Sequence, residues 1–442
     1  MKFYENIQKL FENKFENNHS YNIDKRRDFL KRFLHIGIPT TKHEEWKYTN
    51  LSFMNDLNFS FVDEVKTQLN NRNLPELVVP DFFNYYIIHI LNGYFLDSSN
   101  RLNSLVQMGK LEDDSVFFGE SFLKNFEKFY DSNNPFSFLN LAIFSDARFL
   151  KIANDVVLDK PLVLQYNYNY EASSFSTTLS FIEVGENSKA EIIVLFKSHN
   201  PGEVLANEII NLYLKQNANV EISFVQYDTE NLILLNNLNV VTESDVKFKC
   251  NTFSLETKFV RNNLNLAFEG LNSFGFLNGI NIMSENNFID NHTVVLHNQP
   301  NCTSEEDYRG IINDQARAIF NGKIYVARGA QKTNAYQSNK NILLSNEARV
   351  YTRPQLEIYA DDVKCTHGAT AGFLDQDSLF YMTSRGIGKE KAKALLLSSF
   401  VSSNLEKVEQ SELRNLLKEL VAKKLNLEDI YFCSAINELS KV

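Results

Sequence analysis

Cysteine is scarce in this chain: four occur in 442 residues, Cys250, Cys302, Cys365 and Cys433, with no C-x-x-C pair. Their separation excludes a disulfide framework and a self-contained four-thiolate cluster site, and it fits a reducing compartment. Basic charge is not in excess either. A formal net charge of -10 argues against a nucleic-acid-binding face and against an anionic membrane surface as partner. No apolar run approaches the ~20 residues of a spanning helix. The N-terminus, MKFYENIQKLFENKFENN, is charged throughout and has no apolar h-region. No secretory signal is read, and a cytoplasmic protein is expected. Nucleotide motifs are also missing. Gly329-Ala330-Gln331-Lys332-Thr333 lacks the glycines of a phosphate loop, and Gly386-Ile387-Gly388 lacks the third glycine of a dinucleotide fingerprint. No nucleophile-elbow or protease-type signature surrounds any Ser or Cys. The expectation is a non-enzyme. The abundance of Asn, Phe, Tyr and Lys is read as compositional.

What the chain does contain falls into three textures, with boundaries expected at 1–150, 151–372 and 373–442. Residues 1–37 read as helical: Phe29, Leu30, Phe33 and Leu34 recur at three- and four-residue spacing, and Gly37 and Pro39 stop the run. Thr41 to Thr49 holds the single tryptophan, Trp46, which reads as a packing anchor. A strand-like YYIIHILNG run spans Tyr85 to Gly93, and Ser121 to Tyr130 reads as helix. From about Pro161 the chain becomes a series of short strand-like runs such as TTLSFIEV, AEIIVLFK and VEISFVQY, separated by small polar turns. Turn-plus-strand units near Ala190, Val220 and Val246 suggest stacked repeats, with a sandwich or barrel as alternatives. After Asp377 the pattern is helical. Leu413, Leu416, Leu417, Leu420 and Val421 form an apolar stripe suited to capping a solenoid end or docking a partner.

The densest stretch runs from Pro354 to Gly388. It combines Leu356-Glu357-Ile358, Asp361-Asp362-Val363, Cys365, His367-Gly368-Ala369-Thr370, Leu379-Phe380-Tyr381 and Ser384-Arg385-Gly386. On an unbroken strand Cys365 and His367, two apart, would share a face. Thiolate and imidazole are both iron ligands. From spacing alone the pair reads sooner as a buried small hydrophobe beside a hydrogen-bonded histidine. His292 and His297, five apart, would point to opposite faces and are read, with Cys302, as structural.

This stretch resembles the C-terminal core of the SufB and SufD proteins, scaffolds of iron–sulfur cluster assembly. The segment Glu44-Glu45-Trp46-Lys47-Tyr48-Thr49 resembles the N-terminal E-x-W-[KR]-Y-T of the same family. The resemblance implies a mainly β fold, a central right-handed parallel β-helix flanked by N-terminal and C-terminal helical domains. It implies a scaffold pairing with SufB and docking the SufC ATPase through its C-terminal helices, with a homodimer possible in isolation. Cys365 and His367 would then be half of an iron or nascent-cluster site completed by the partner's ligands. No cofactor would stay on the isolated chain. Asp361, Asp362 and Lys364 are supporting candidates, and Arg385 is expected to pair with a carboxylate at a helix end. Lys340 stands where SufB-type chains carry a sulfur-accepting cysteine, and Gly368 follows His367 where they carry Glu. Both departures favour the SufD side of the family. A SufB-type scaffold and a β-solenoid carbohydrate binder remain the alternatives.

Overall fold

The computed structural model is a parallel β-solenoid of about seven turns with helices packed on its flanks. It describes residues 2–16, 23–57, 59, 84–96, 105–110, 120–130, 133–168, 173–198 and 202–427. Cys433 lies outside the described residues.

Two parallel sheets make the solenoid. The first stacks β1 (Tyr86–Leu91), β5 (Leu162–Tyr168), β7 (Lys189–Ser198), the first half of β9 (Asn219–Thr242), the first half of β10 (Lys247–Phe268), β11 (Phe274–Met283), β13 (Thr303–Ile312), β15 (Asn334–Leu343) and β17 (Lys364–Phe373). The second stacks β4 (Asp146–Ile152), β6 (Ser174–Val184), β8 (Val204–Leu214), the second halves of β9 and β10, β12 (Phe288–His297), β14 (Arg317–Val326) and β16 (Arg349–Ile358). Two short strands complete the set. β2 (Tyr94–Phe95) closes an Asn92-Gly93 hairpin on β1, and β3 (Val106–Lys110) runs antiparallel to β4.

Asn219, Lys247, Phe274, Thr303, Asn334 and Lys364 are successive in-register positions, so one rung recurs every 27 to 31 residues. The repeat read near Ala190 and Val220 is this rung, since those two residues are paired. Turn chemistry fixes its length. Asp155, Asn187, Asn217, Asp245, Asn272 and Asn301 all take a left-handed φ of 56–62°, which Asn and Asp tolerate better than other side chains with a Cβ. They also stack from rung to rung. Asn187 Nδ2 donates to Asp155 Oδ1 at 2.8 Å, and Asn217 Nδ2 to Asn187 Oδ1 at 3.0 Å. The asparagine-rich composition therefore has a structural use that composition alone did not reveal.

Inward side chains fill the lumen, as in the in-register series Ile222, Cys250, Leu277, all fully buried. Glycine appears where a neighbour needs the space. A Cβ on Gly279 would come within 2.2 Å of the Tyr308 ring, which is itself buried and 5.0 Å from the Phe320 ring. Gly279→Ala is expected to cost about 1–3 kcal/mol by overpacking, read as a lower urea midpoint at unchanged slope. Gly329→Ala, with nothing within 4 Å of the new Cβ, is the neutral control.

The outer faces of both sheets are covered by helices except toward the last rungs. Helices α1 (Lys2–Phe11), α2 (Ile23–Ile36) and α4 (Pro135–Ile143) bury Phe3, Phe33 and Phe136 against Leu205, Ile233 and Phe259 of the second sheet. Between α2 and α4 in sequence, α3 (Glu120–Glu127) packs Phe126 against Phe181 beside them. The C-terminal helices α6 (Lys389–Leu405) and α7 (Ser411–Lys424) press Leu397, Val401, Leu413 and Leu417 onto Ile193, Val225, Phe253 and Ile280 of the first sheet. The amphipathic pair thus lies along the side of the solenoid, because its apolar stripe matches an apolar outer sheet face. Among the described residues no helix is long and apolar enough to cross a membrane.

Candidate functional site

The solenoid ends on an uncovered rung. β16 pairs only with β14, and β17 only with β15, so each leaves one backbone edge free among the described residues. Pro354, lacking an N–H, lies in β16, where an edge strand tolerates it. Both strands are only partly buried or exposed along their length. Large apolar side chains stand in solvent beside them. Phe373 is 63% exposed and Tyr359 59%, and on α5 (Gln376–Ser384) Phe380 reaches 74%.

Cys365 and His367 both lie on β17, which runs unbroken from Lys364 through Gly368 and Gly372 to Phe373. The two glycines therefore do not loosen the strand, and the pair shares the inward face. Cys365 is half-buried against the main core and stands in register with Ala335. Burial pushes its thiol above the ordinary range, with the Ala335 backbone pulling the other way. His367 is exposed and stands in register with Gln337, itself in register with Glu306. Among the described residues no three His, Cys, Asp or Glu side chains converge on one point. Two donors by themselves cannot complete a tetrahedral set.

Asp361 and Asp362 are exposed in the turn before β17, and Lys364 is exposed at its first position. Their backbone anchors the turn: Lys332 N donates to Asp362 O, and Lys364 N to Thr333 O. Arg385 corrects an expectation. No carboxylate pairs with it among the described residues, and its guanidinium lies 5.2 Å from the Tyr381 ring centroid. Past the helix end Gly386 takes φ +87°, a left-handed stop. Lys340 is exposed on the outer side of β15, between the buried Asn339 and Asn341.

His292 and His297 do face opposite sides of β12. His297 is buried in the lumen 2.9 Å from Ser304 Oγ, and burial lowers its pKa to about 3. His292 faces outward in a network that local reading missed. Its Nε2 lies 2.9 Å from Asp290 Oδ1 and its Nδ1 3.5 Å from Glu45 Oε2. Arg261 Nη1 meets Asp290 Oδ2 at 2.5 Å while its guanidinium stacks 3.6 Å from the Trp46 ring centroid. Trp46 is thus an anchor for the N-terminal segment on the solenoid wall. Cys302 is buried with its thiol 3.4 Å from Gly270 O, and Cys250 is fully buried in the lumen. Neither is available for chemistry at the rim.

Two buried carboxyls also escaped the sequence reading. Glu208 and Glu306 point into the lumen with 0% exposure. Burial outweighs their hydrogen bonds, with Thr178 and Tyr168 and with Thr293 and Gln337, and raises both to about 7. The only signal was a Glu in apolar VLANEIINL and another in TSEEDYRG.

The fold is that of the β-solenoid class with flanking helices, open at its last rung, where Cys365 and His367 lie. Comparison with known proteins sharpens this. The profile described as "SUF system FeS cluster assembly, SufBD core domain" matches residues 167–400, and "SufBD protein N-terminal region" matches residues 1–164. The chain belongs to the SufBD family. It is 26% identical over 413 residues to an iron–sulfur cluster assembly SufBD family protein of Synechocystis sp., covering 90% of each chain. It is 26% identical over 400 residues to the iron–sulfur cluster assembly protein SufD of Escherichia coli, covering 90% of this chain and 91% of the relative. A chloroplastic protein of Arabidopsis thaliana is 27% identical over 389 residues, 85% of this chain and 80% of the relative.

Proposed function

We propose that this chain is a SufD-type, non-enzymatic scaffold subunit of a cytoplasmic SUF complex, joined to a SufB-type solenoid through its uncovered rung. Iron or a nascent cluster is cargo at that junction. Cys365 and His367 supply two ligands and the partner supplies the rest, so the isolated chain keeps no cofactor. The observation that carries this reading is the open rung itself. Free N–H and C=O groups on β16 and β17 are a template for strand addition, and the ligand-type pair sits on that same edge. Without its partner the rung is free to pair with a second copy. A SufC-type ATPase docks beside α5 to α7, a role supported by the exposed Phe380 and Tyr381. Lys340, which cannot carry persulfide sulfur, weighs against the SufB-type role.

The test is co-expression with SufB and SufC partners, followed by size-exclusion chromatography and anaerobic visible absorption. His367→Ala is expected to leave the complex intact and lower cluster absorption about tenfold or more, as loss of a ligand should. Unchanged absorption in an intact complex would remove the pair from the site. Failure to form any complex would remove the scaffold reading.

A further inference from the structure

The inward positions of the last three rungs of the first sheet form one column, His367 over Gln337 over Glu306. In-register strands lie ~4.8 Å apart, so these side chains stack. Gln337 is 1% exposed and Glu306 0%. Gln337 Nε2 donates to Glu306 Oε1 at 3.2 Å, and Thr293 Oγ1, from the opposite sheet, donates to Glu306 Oε2 at 2.6 Å. The amide is thereby oriented. Its carbonyl, Oε1, is buried and has no donor. An unpaired buried acceptor is costly, and the residue standing over it in register carries a ring N–H.

The room for this amide is built in. A Cβ on Gly322 of β14 would come within 2.1 Å of Gln337 Nε2, so only glycine there lets the side chain lie where it does. One rung further in, the position in register with Glu306 is Leu277, and the column becomes apolar. The polar stretch is confined to the rungs beneath His367.

We infer that Gln337 and Glu306 are positioning residues for His367. Glu306 fixes the amide, and its carbonyl, left without a donor in the structure, takes an N–H when the His367 ring turns onto it, which leaves the other ring nitrogen with its lone pair free. A neutral imidazole can ligate only through the nitrogen that carries no proton, so the column selects which nitrogen faces the cargo. This rests on the reading of His367 as a rim ligand.

The experiment uses the full-length chain labelled with 15N-histidine. His367 is assigned by the signal lost in His367→Ala, and its tautomer ratio is read at about pH 9, where an ordinary imidazole is neutral. The wild type is expected to hold one tautomer in excess. Gln337→Met, and separately the shorter amide in Gln337→Asn, should move the ratio about fivefold to tenfold toward that of free histidine, the equivalent of one hydrogen bond. Two variants guard against one failing to fold, which the melting curve reports. An unchanged ratio in a folded variant, or a wild-type ratio equal to that of free histidine, would overturn the inference. These results are read on the chain alone and do not depend on cluster yield. Full cluster yield in His367→Ala would instead remove the ligand role itself, whatever the tautomer ratio.

Discussion

Replacing Arg261 by alanine is expected to lower stability by about 3–5 kcal/mol, the range for breaking a buried ion pair from one side. Arg261 is 2% exposed and its partner Asp290 0%. The two are in register on neighbouring rungs, β10 and β12. Arg261 also donates to Glu45 O at 3.2 Å and, through Nε, to Asn263 Oδ1 at 3.1 Å. Removing it strands the Asp290 carboxylate with Thr49 and His292 as its remaining partners, and it opens a void under Trp46. Since Trp46 is the only tryptophan, its fluorescence reports this place alone. Its emission should shift to the red at lower urea than the loss of β-sheet circular dichroism, as the N-terminal segment lifts from the wall. An apolar double replacement, Arg261→Met with Asp290→Leu, should recover much of the loss, because it leaves no unpaired charge. A loss under about 1 kcal/mol for Arg261→Ala would mean that desolvation cancels the pair's attraction. Acid should act on the same place. Burial raises the Asp290 carboxyl, but Arg261, His292 and Thr49 outweigh it and hold it at about 2. The folded pKa lies below the unfolded value, so this share of stability is present above about pH 4 and lost as pH falls toward 2.

The second large effect has the opposite sign at milder pH. Burial raises the Glu208, Glu221 and Glu306 carboxyls to about 7, whereas in the unfolded chain they titrate near 4.5. Between those values the folded state holds more protons than the unfolded one, so stability rises as pH falls. His297 opposes this below about pH 6.5, since its folded pKa of about 3 keeps it neutral while the unfolded imidazole takes a proton. Three protons against none operate from about pH 7 to 6.5, then three against one. The chain is therefore expected to gain roughly 3 kcal/mol between pH 8 and 6, on the alkaline side of its isoelectric point of about 5.5, where it stays charged. Urea midpoints across that window give the slope, and Glu306→Gln, which keeps the shape and loses the titration, should remove about two-fifths of the net gain. A midpoint that falls steadily on acidification would show these carboxyls ionised in the folded state.

The sequence by itself determined the repeating strands, the polar turns between them, the C-terminal helix pair and the shared face of Cys365 and His367. These are local properties. Strand runs and turns follow from residues within a few positions, and two residues i and i+2 on one strand must point the same way. It also carried the motifs that identify the family. The tertiary structure decided what each side chain meets, because in a parallel solenoid the neighbours lie one rung away, 27 to 31 residues along the chain. Gln337 beneath His367 and Arg261 beside Asp290 are invisible at shorter range. Away from the last rungs both faces of the sheets are covered, by lumen on one side and helices on the other, so β6 is buried at all 11 positions. Alternation then no longer separates inside from outside, which is why it could not show that Glu208 is buried. The position of α6 and α7 was likewise a tertiary choice. Their apolar stripe needed an apolar surface, and the outer face of the first sheet supplied it, leaving the last rung open.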